Sequence, residues 1–215
     1  GAGIQADLKS FSAQGVYGMA VITALTAQNT TGVSQIHKPS AEFVAEQIRM
    51  VAADVRINAI KIGMIADAAI AHAVAKEVEN FANVPVILDP VMIAKGGATL
   101  LTEDAMSSLC NKLVPLADIL TPNLPEAAAL LNKKKALNKD DMVQQAKQLL
   151  TLGPRAIYLK GGHFDSPNSP DLLISKTEMR WFEAKRLQTK NTHGTGCSLS
   201  AAIAANCAKG LTPEE

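Results

Sequence analysis

Short apolar runs alternate with helical patterns along most of the chain, and this alternation limits the fold more than any other feature. The runs cover residues 19–25, 59–63, 85–89, 117–120 and 155–160. Apolar runs without polar alternation are typical of parallel strands that are covered on both faces. Between most of them, apolar residues recur at helical spacing. The sequence therefore predicts an α/β fold in which a mostly parallel central sheet lies between layers of helices.

Smaller elements complete this pattern. Residues 33–37 are predicted to form a short edge strand, and residues 172–175 and 179–182 a hairpin with a three-residue connection. A helix is predicted from Asp140 to Leu150, and Gly15 is expected to end the first helix. Side chains that cap helices precede three further helical patterns: Ser40, Asp67 and Thr102.

Composition and charge exclude several classes of protein. The chain has 215 residues, 47% of them hydrophobic, which is sufficient for one well-buried domain over residues 1–215. The formal net charge of +1 and the lack of a long basic block argue against nucleic-acid binding. No apolar run approaches the roughly 20 residues that cross a membrane. The three cysteines form neither a metal-ligand spacing nor a disulfide framework, which favours a reducing cytoplasm.

Both ends of the sequence lie within structural patterns. The chain starts with glycines that already lead from a loop into a helix, and residues 212–215 (TPEE) read as the start of another helix. We therefore expect the domain to be truncated at both ends.

A glycine turn at residues 191–197, NTHGTGC, precedes a predicted helix that runs from Cys197 to about Cys207. Gly194 and Gly196 permit backbone angles that direct successive amides toward the helix N-terminus. The N–H groups and the helix dipole there attract an anion such as a phosphoryl group. The same field favours a thiolate, so we predict a lowered pKa for Cys197 as base or nucleophile. A tight turn with a core cysteine is the alternative.

Polar or glycine residues follow the predicted strands. They are Gln28, the pair 63–64, Asp89, residues 123–126 and residues 160–162. Ligands of open α/β sheets bind at the carboxyl ends of the strands, so these residues should share one edge and form a crevice. The amide of Gln28 suits a planar ligand there, although a polar turn is the alternative.

Asp89 and Glu126 are the carboxylates that we place near a phosphate-bound Mg²⁺, which prefers oxygen ligands and usually retains water. A contact through water is as compatible with the sequence as direct ligation. A strand-end cap is the alternative for Asp89, and a partner of the helix dipole is the alternative for Glu126. Lys160 is either a contact to a nucleotide phosphate or an ordinary strand-end lysine. No role is assigned to His163 or His193.

Seven segments in sequence order carry a family resemblance. They are residues 1–7 (GAGIQAD), 21–29 (VITALTAQN), 61–64 (KIGM), 88–92 (LDPVM), 121–126 (TPNLPE), 160–162 (KGG) and 192–197 (THGTGC). Together they resemble the hydroxymethylpyrimidine/phosphomethylpyrimidine kinases of thiamine biosynthesis, which are members of the ribokinase-like superfamily. The resemblance implies a ribokinase-like three-layer α/β/α fold that lacks the family's first strand and last helices.

The resemblance also implies an activity. The expected reaction is Mg²⁺-dependent transfer of phosphate from ATP to 4-amino-5-hydroxymethyl-2-methylpyrimidine, and then to its monophosphate. The expected partners are these small molecules and a second copy of the chain in a homo-oligomer, a dimer. A pyridoxal kinase of the same superfamily is the nearest alternative, and a non-catalytic pyrimidine-binding module is the alternative from another class.

Roles for individual residues follow from the resemblance alone. Cys197 stands where many ribokinase-like enzymes have an aspartate base, and Gly194, Thr195 and Gly196 would form the anion hole. Gln28 would recognise the aminopyrimidine. The remaining roles are pocket lining for Ala2, Met64 and Val91, the magnesium and phosphate network for Asp89 and Glu126, and the nucleotide side for Lys160.

Overall fold

The computed structural model describes residues 2–92, 102–164, 167–189 and 191–212. The helices are α1 (Ile4–Ala13), α2 (Ala41–Asp54), α3 (Ala68–Val78), α4 (Glu103–Ser108), α5 (Leu124–Leu130), α6 (Lys139–Leu150) and α7 (Thr195–Ala208). Helix α4 continues as a π-helical turn (Leu109–Leu113) and a 3-10 turn (Val114–Leu116). The strands are β1 (Leu25–Gln28), β2 (Val33–His37), β3 (Ile60–Ile62), β4 (Val86–Leu88), β5 (Ile119–Leu120), β6 (Ala156–Leu159), β7 (Asp171–Ser175) and β8 (Met179–Phe182).

The main sheet follows chain order from β3 to β8. Its first four strands are parallel, and β7 and β8 are antiparallel to their neighbours. The prediction of a mostly parallel sheet is therefore confirmed. The predicted hairpin is also confirmed, because three residues, 176–178, join β7 to β8.

Successive residues of a strand point to opposite faces of the sheet, so the apolar strands present apolar side chains on both faces. Helices cover both of these faces. Leu88 and Leu120 belong to a core cluster with side chains from α2 to α6. Ile87 and Ile119 belong to a second cluster, which includes Ala204 of α7. Burial of each side chain of this size contributes about 1.5–3 kcal/mol to the free energy of folding. The chain therefore forms the three-layer α/β/α arrangement that the sequence predicts.

The three predicted helix caps are confirmed. Side-chain oxygens of Ser40, Asp67 and Thr102 accept hydrogen bonds from backbone N–H groups in the first turns of α2, α3 and α4. Each bond satisfies a donor that has no partner within the helix. Helix α6 begins one residue before the predicted start, because Asn138 caps it.

The predicted buried strand at residues 19–25 is wrong. The strand here is β1, which begins at Leu25 and pairs antiparallel with β2 in a separate two-stranded sheet. The backbone of Ile22 instead forms two hydrogen bonds with the side-chain amide of Gln47 in α2. The Ile22 N–H donates to Gln47 Oε1, and Gln47 Nε2 donates to the Ile22 carbonyl. Side chains of residues 19–24 line a cavity and are partly exposed. Apolarity alone did not reveal that this backbone has a side-chain partner.

Two predictions concern residues that the structure does not describe. They are the part of the predicted loop at residues 93–97 and the helix start at residues 213–215. Within the described ranges, no helix combines the length and apolarity needed to cross a membrane.

Candidate active site

A cavity of about 1300 Å³ lies along the carboxyl ends of the parallel strands. The register aligns these ends, since Leu88 pairs with Ile62 on one side and with Leu120 on the other. The cavity is lined by all eleven residues to which the sequence gave a site role: Ala2, Gln28, Met64, Asp89, Val91, Glu126, Lys160, Gly194, Thr195, Gly196 and Cys197. Segments that are far apart in sequence therefore meet at one site.

The glycine turn forms the N-terminus of α7. Gly194 is the N-cap residue and has a φ of 86°, a left-handed conformation that favours glycine. Its carbonyl accepts a hydrogen bond from the Ser198 N–H at 2.9 Å, which starts the helix. A Cβ at Gly196 would lie 3.4 Å from Lys160 Nζ and 3.9 Å from Asp89 Oδ2. The first turn of α7 therefore borders both a cation and a carboxylate.

Lys160 lies between the two predicted carboxylates. Its Nζ is 2.9 Å from Asp89 Oδ1 and 4.0 Å from Glu126 Oε2. The Asp89 side chain is 2% exposed and the Glu126 side chain 7% exposed, so water screens neither charge effectively. The buried ammonium compensates two carboxylates that would otherwise be strongly unfavourable at this depth.

Two hydroxyls beside Asp89 were missed from the sequence. Ser200 Oγ lies 3.2 Å from Asp89 Oδ2, and Thr121 Oγ1 lies 3.3 Å from Asp89 Oδ1. Ser200 stands one helical turn after Gly196, so its spacing from the glycine turn was the available signal. Thr121 directly follows β5 and therefore shares the sheet edge with Asp89. Together with Lys160, these hydroxyls fix the orientation of the carboxylate.

The predicted magnesium site can be tested against these contacts. Asp89 and Glu126 supply the oxygen donors that Mg²⁺ prefers. An ion coordinated directly by both would displace Lys160, whereas an ion held through water would not. The described residues contain no cluster of three or more His, Cys, Asp or Glu side chains suited to a metal. The donors therefore fit a magnesium ion bound mainly by phosphate oxygens and water.

Glu126 also belongs to a helix cap. Its Oε2 accepts from the Asn123 N–H at 2.7 Å, while Asn123 Oδ1 accepts from the Glu126 N–H at 2.9 Å. This reciprocal capping box fixes the start of α5. Burial raises the pKa of Glu126 to about 7, although Lys160 and the Asn123 N–H oppose the shift.

The raised pKa predicts a pH-dependent effect of Glu126→Gln. Burial of a charged Glu126 weakens the fold, so wild-type stability is highest below the unfolded-state pKa and falls as the pH rises through about 7. We expect the variant to be more stable than wild type at pH 8 by about 2–3 kcal/mol, and the difference to vanish near pH 4.5. Urea unfolding across this range measures the effect. The exposed Glu79→Gln is the control, and an equal difference at all pH values would contradict the assignment.

Cys197 occupies the first turn of α7 and is partly exposed to the cavity. Burial raises the pKa of its thiol, and the charges of Asp89 and Asp7 act in the same direction. The Lys61 ammonium and a hydrogen bond from the Gly3 N–H oppose this shift. The prediction of a lowered pKa is therefore wrong, because the dipole argument left out desolvation. The neutral thiol is the resting form near pH 7.

The four residues assigned to the pyrimidine surround the same cavity from other elements. Gln28 ends β1 and is exposed, and its Nε2 donates to Thr26 Oγ1 at 2.6 Å. Met64 follows β3, and its carbonyl accepts from Thr23 Oγ1 at 2.7 Å. The other two, Ala2 and Val91, precede α1 and follow Asp89 respectively. The Gln28 amide is therefore an exposed polar group in the lining of the cavity.

His163 and His193 also line the cavity. Burial lowers the pKa of His163, and the nearby Lys135, Lys160 and Arg186 lower it further. A neutral His163 therefore lies among cations on the Lys160 side.

The open sheet, its helical layers and an anion-attracting turn beside a buried lysine define a phosphotransferase of the ribokinase-like class. The sequence model described as phosphomethylpyrimidine kinase matches residues 1–215. The chain belongs to the phosphomethylpyrimidine kinase family and is a kinase.

The chain is similar to two kinases of that name and to a pyridoxal kinase. The hydroxymethylpyrimidine/phosphomethylpyrimidine kinase of Escherichia coli K12 is 50% identical over 205 residues, which cover 95% of this chain and 77% of that protein. The crystal structure of phosphomethylpyrimidine kinase from Clostridium difficile 630 is 40% identical, with a TM-score of 0.86, and the match covers 98% of this chain and 86% of that one. A pyridoxal kinase of Staphylococcus aureus, in complex with AMP-PCP and pyridoxal, is 28% identical with a TM-score of 0.90 over 100% of this chain and 77% of that one.

Proposed function

We propose that this kinase transfers the γ-phosphoryl group of ATP to 4-amino-5-hydroxymethyl-2-methylpyrimidine, and then to the phosphate of that product, in thiamine biosynthesis. The observation that carries the proposal is the convergence of three features on one cavity: the glycine turn of α7, the Asp89–Lys160–Glu126 cluster and Cys197. Family membership supports the same acceptors.

The chain stabilises the migrating group mainly by position and charge. Phosphoryl transfer passes through a loose transition state, so alignment and charge neutralisation provide most of the rate. The backbone at Gly194, Thr195 and Gly196 forms the anion hole, where N–H groups of the first helical turn face the phosphoryl oxygens. Lys160 borders this turn and contacts the nucleotide phosphates.

Cys197 is the base that accepts the proton of the acceptor hydroxyl. The hydroxyl proton moves to Sγ, the hydroxyl oxygen forms a bond to the γ-phosphorus, and the bond from phosphorus to the ADP oxygen breaks with its electrons. This step uses the thiolate form, which is a minor species because burial raises the pKa of the thiol. In a loose transition state the acceptor oxygen has formed little bond to phosphorus, so the hydroxyl proton is transferred late. A thiolate that is present as a minor species is therefore sufficient.

The other residues that line the cavity would hold the acceptor and the metal ion. Gln28 bonds to the edge of the aminopyrimidine, and Ala2, Met64 and Val91 line its faces. Mg²⁺, when bound, neutralises phosphate charge. Asp89 and Glu126 would hold the ion through water molecules, with the Lys160 ammonium remaining in contact with both carboxylates.

Three expectations about the whole protein stay predictions. Residues 1–215 are expected to form one domain. The chain is expected to form a homo-oligomer, a dimer. A cytoplasmic location is expected because the spacing of the three cysteines gives no disulfide framework.

A substrate panel tests the proposal. We expect ATP consumption with the pyrimidine alcohol and with its monophosphate, and at least about 100-fold lower kcat/KM with pyridoxal. The monophosphate is the most informative substrate, because only a kinase of the thiamine pathway is expected to phosphorylate it. Activity on pyridoxal alone would favour a pyridoxal kinase. Binding of the pyrimidine in calorimetry without turnover would favour a non-catalytic module.

A further inference from the structure

A buried ion pair joins α1 to β3 beside the catalytic turn. Lys61 Nζ lies 3.1 Å from Asp7 Oδ1 and 3.0 Å from Asp7 Oδ2. The two side chains are only 4% and 13% exposed. Buried ion pairs contribute little to stability compared with apolar residues of the same size, so their presence at a cavity suggests a functional use.

The position of the ammonium is defined by its surroundings. A Cβ at Gly63 would lie 3.0 Å from Lys61 Nζ, so the glycine leaves room for the cation at the end of β3. Both members of the pair line the cavity that holds Cys197. Helix α1 packs against α7, and α7 contacts β3, so the pair lies where these three elements meet.

Four charged groups from different elements line the cavity together with Cys197 and act electrostatically on its thiol. Asp7 comes from α1, Lys61 from β3, Asp89 from the end of β4 and Lys160 from the end of β6. After burial, the Lys61 charge is the largest influence on the pKa of Cys197, and it lowers that pKa. The two aspartates act in the opposite direction.

We propose that Lys61, held in place by Asp7, is a positioning residue that keeps a positive charge beside Cys197 and so stabilises the thiolate that accepts the hydroxyl proton. The proposal rests on the role of Cys197 in the proposed function. It adds a residue that touches neither substrate in that scheme and acts through the thiol.

The charge arrangement predicts opposite effects for the two members of the pair. Lys61→Met removes the cation and leaves Asp7, so the thiolate fraction at a given pH falls. Asp7→Asn retains a hydrogen-bond acceptor for Lys61 and removes a negative charge, so the fraction rises. A shift of one pKa unit changes the fraction about tenfold at any pH well below the pKa. A structural role would impair both variants alike.

Alkylation of Cys197 by iodoacetamide in the enzyme without substrates tests the proposal. Mass spectrometry of the Cys197 peptide measures the rate from pH 7 to 10. We expect Lys61→Met to slow alkylation at pH 8 about tenfold, Asp7→Asn to accelerate it about threefold, and Lys61→Arg to restore most of the wild-type rate. Exposed Lys76→Gln is the control and should leave the rate unchanged.

The outcomes separate this proposal from the proposed function. Unchanged or slower alkylation in Asp7→Asn would overturn the role of the pair, as would a failure of Lys61→Arg to rescue. If Lys61→Met does not fold, the Asp7→Asn arm still decides. Because alkylation needs neither ATP nor pyrimidine, a failed phosphorylation assay would leave this result intact. In turnover, Lys61→Met should lower kcat with little change in the pyrimidine KM.

Discussion

Replacement of Cys197 by serine is expected to lower kcat by about 100-fold and to leave the pyrimidine KM within about threefold of wild type. A serine hydroxyl fits the same space at the first turn of α7, so substrate binding should persist. Its pKa is far higher than that of a thiol, so it cannot accept the hydroxyl proton to a comparable extent. A steady-state assay of ATP consumption at saturating pyrimidine measures the loss.

Cys110→Ser provides a matched control for this result. Cys110 is partly buried in the π-helical turn that follows α4 and does not line the cavity. We expect this variant to retain kcat within about twofold, in keeping with a substitution away from the site. Unchanged turnover in Cys197→Ser would remove the thiol from the mechanism. It would leave the anion hole and Lys160 as the sources of the rate.

Strands and caps were predictable because local chemistry determines them. The runs that contain β3 to β6 were located from continuous apolarity. The observed strands are one or two residues shorter at each end, except that β5 ends at Leu120 as predicted. Ser40 and Asp67 cap helices because their oxygens satisfy nearby N–H groups, a contact within four residues. Such contacts need no knowledge of the tertiary fold.

Residues 19–25 show where this approach fails. An apolar run predicts burial, but it does not say which neighbour satisfies the backbone. Here the partner of Ile22 is the amide of Gln47, 25 residues away. The strand therefore begins only where β2 offers a ladder of hydrogen bonds, at Leu25. Pairing of distant backbone groups is a property of the fold rather than of the run.

The same limit applies to the site. Asp89, Glu126 and Lys160 were predicted to lie at one edge of the sheet because each follows a predicted strand. Parallel strands bring their carboxyl ends together at that edge. The sequence did not predict that Lys160 would lie between the two carboxylates. It also missed the Lys61–Asp7 pair, and it predicted the wrong direction for the pKa of Cys197. These properties depend on burial and on charges from several elements, which spacing does not encode.

Lys160→Met is expected to lower kcat/KM for ATP by about 1000-fold. The variant removes the cation at the glycine turn and leaves Asp89 and Glu126 buried without it. We also expect a loss of stability of about 3–5 kcal/mol at pH 8, as for other buried pairs that lose one partner. Lys160→Arg retains the charge and should recover part of both losses. Lys133→Met, on an exposed loop, is the control.

The pH dependence of this variant distinguishes its electrostatic role from simple packing. Without Lys160, the pKa of Glu126 should rise above the wild-type value of about 7, because burial is then opposed only by the Asn123 contacts. A raised folded-state pKa gives stability that is present at low pH and lost as the pH rises. The difference in stability between wild type and Lys160→Met should therefore grow from pH 5 to pH 8 in urea unfolding. A difference that stays constant would mean that the lysine acts through its methylene chain rather than its charge.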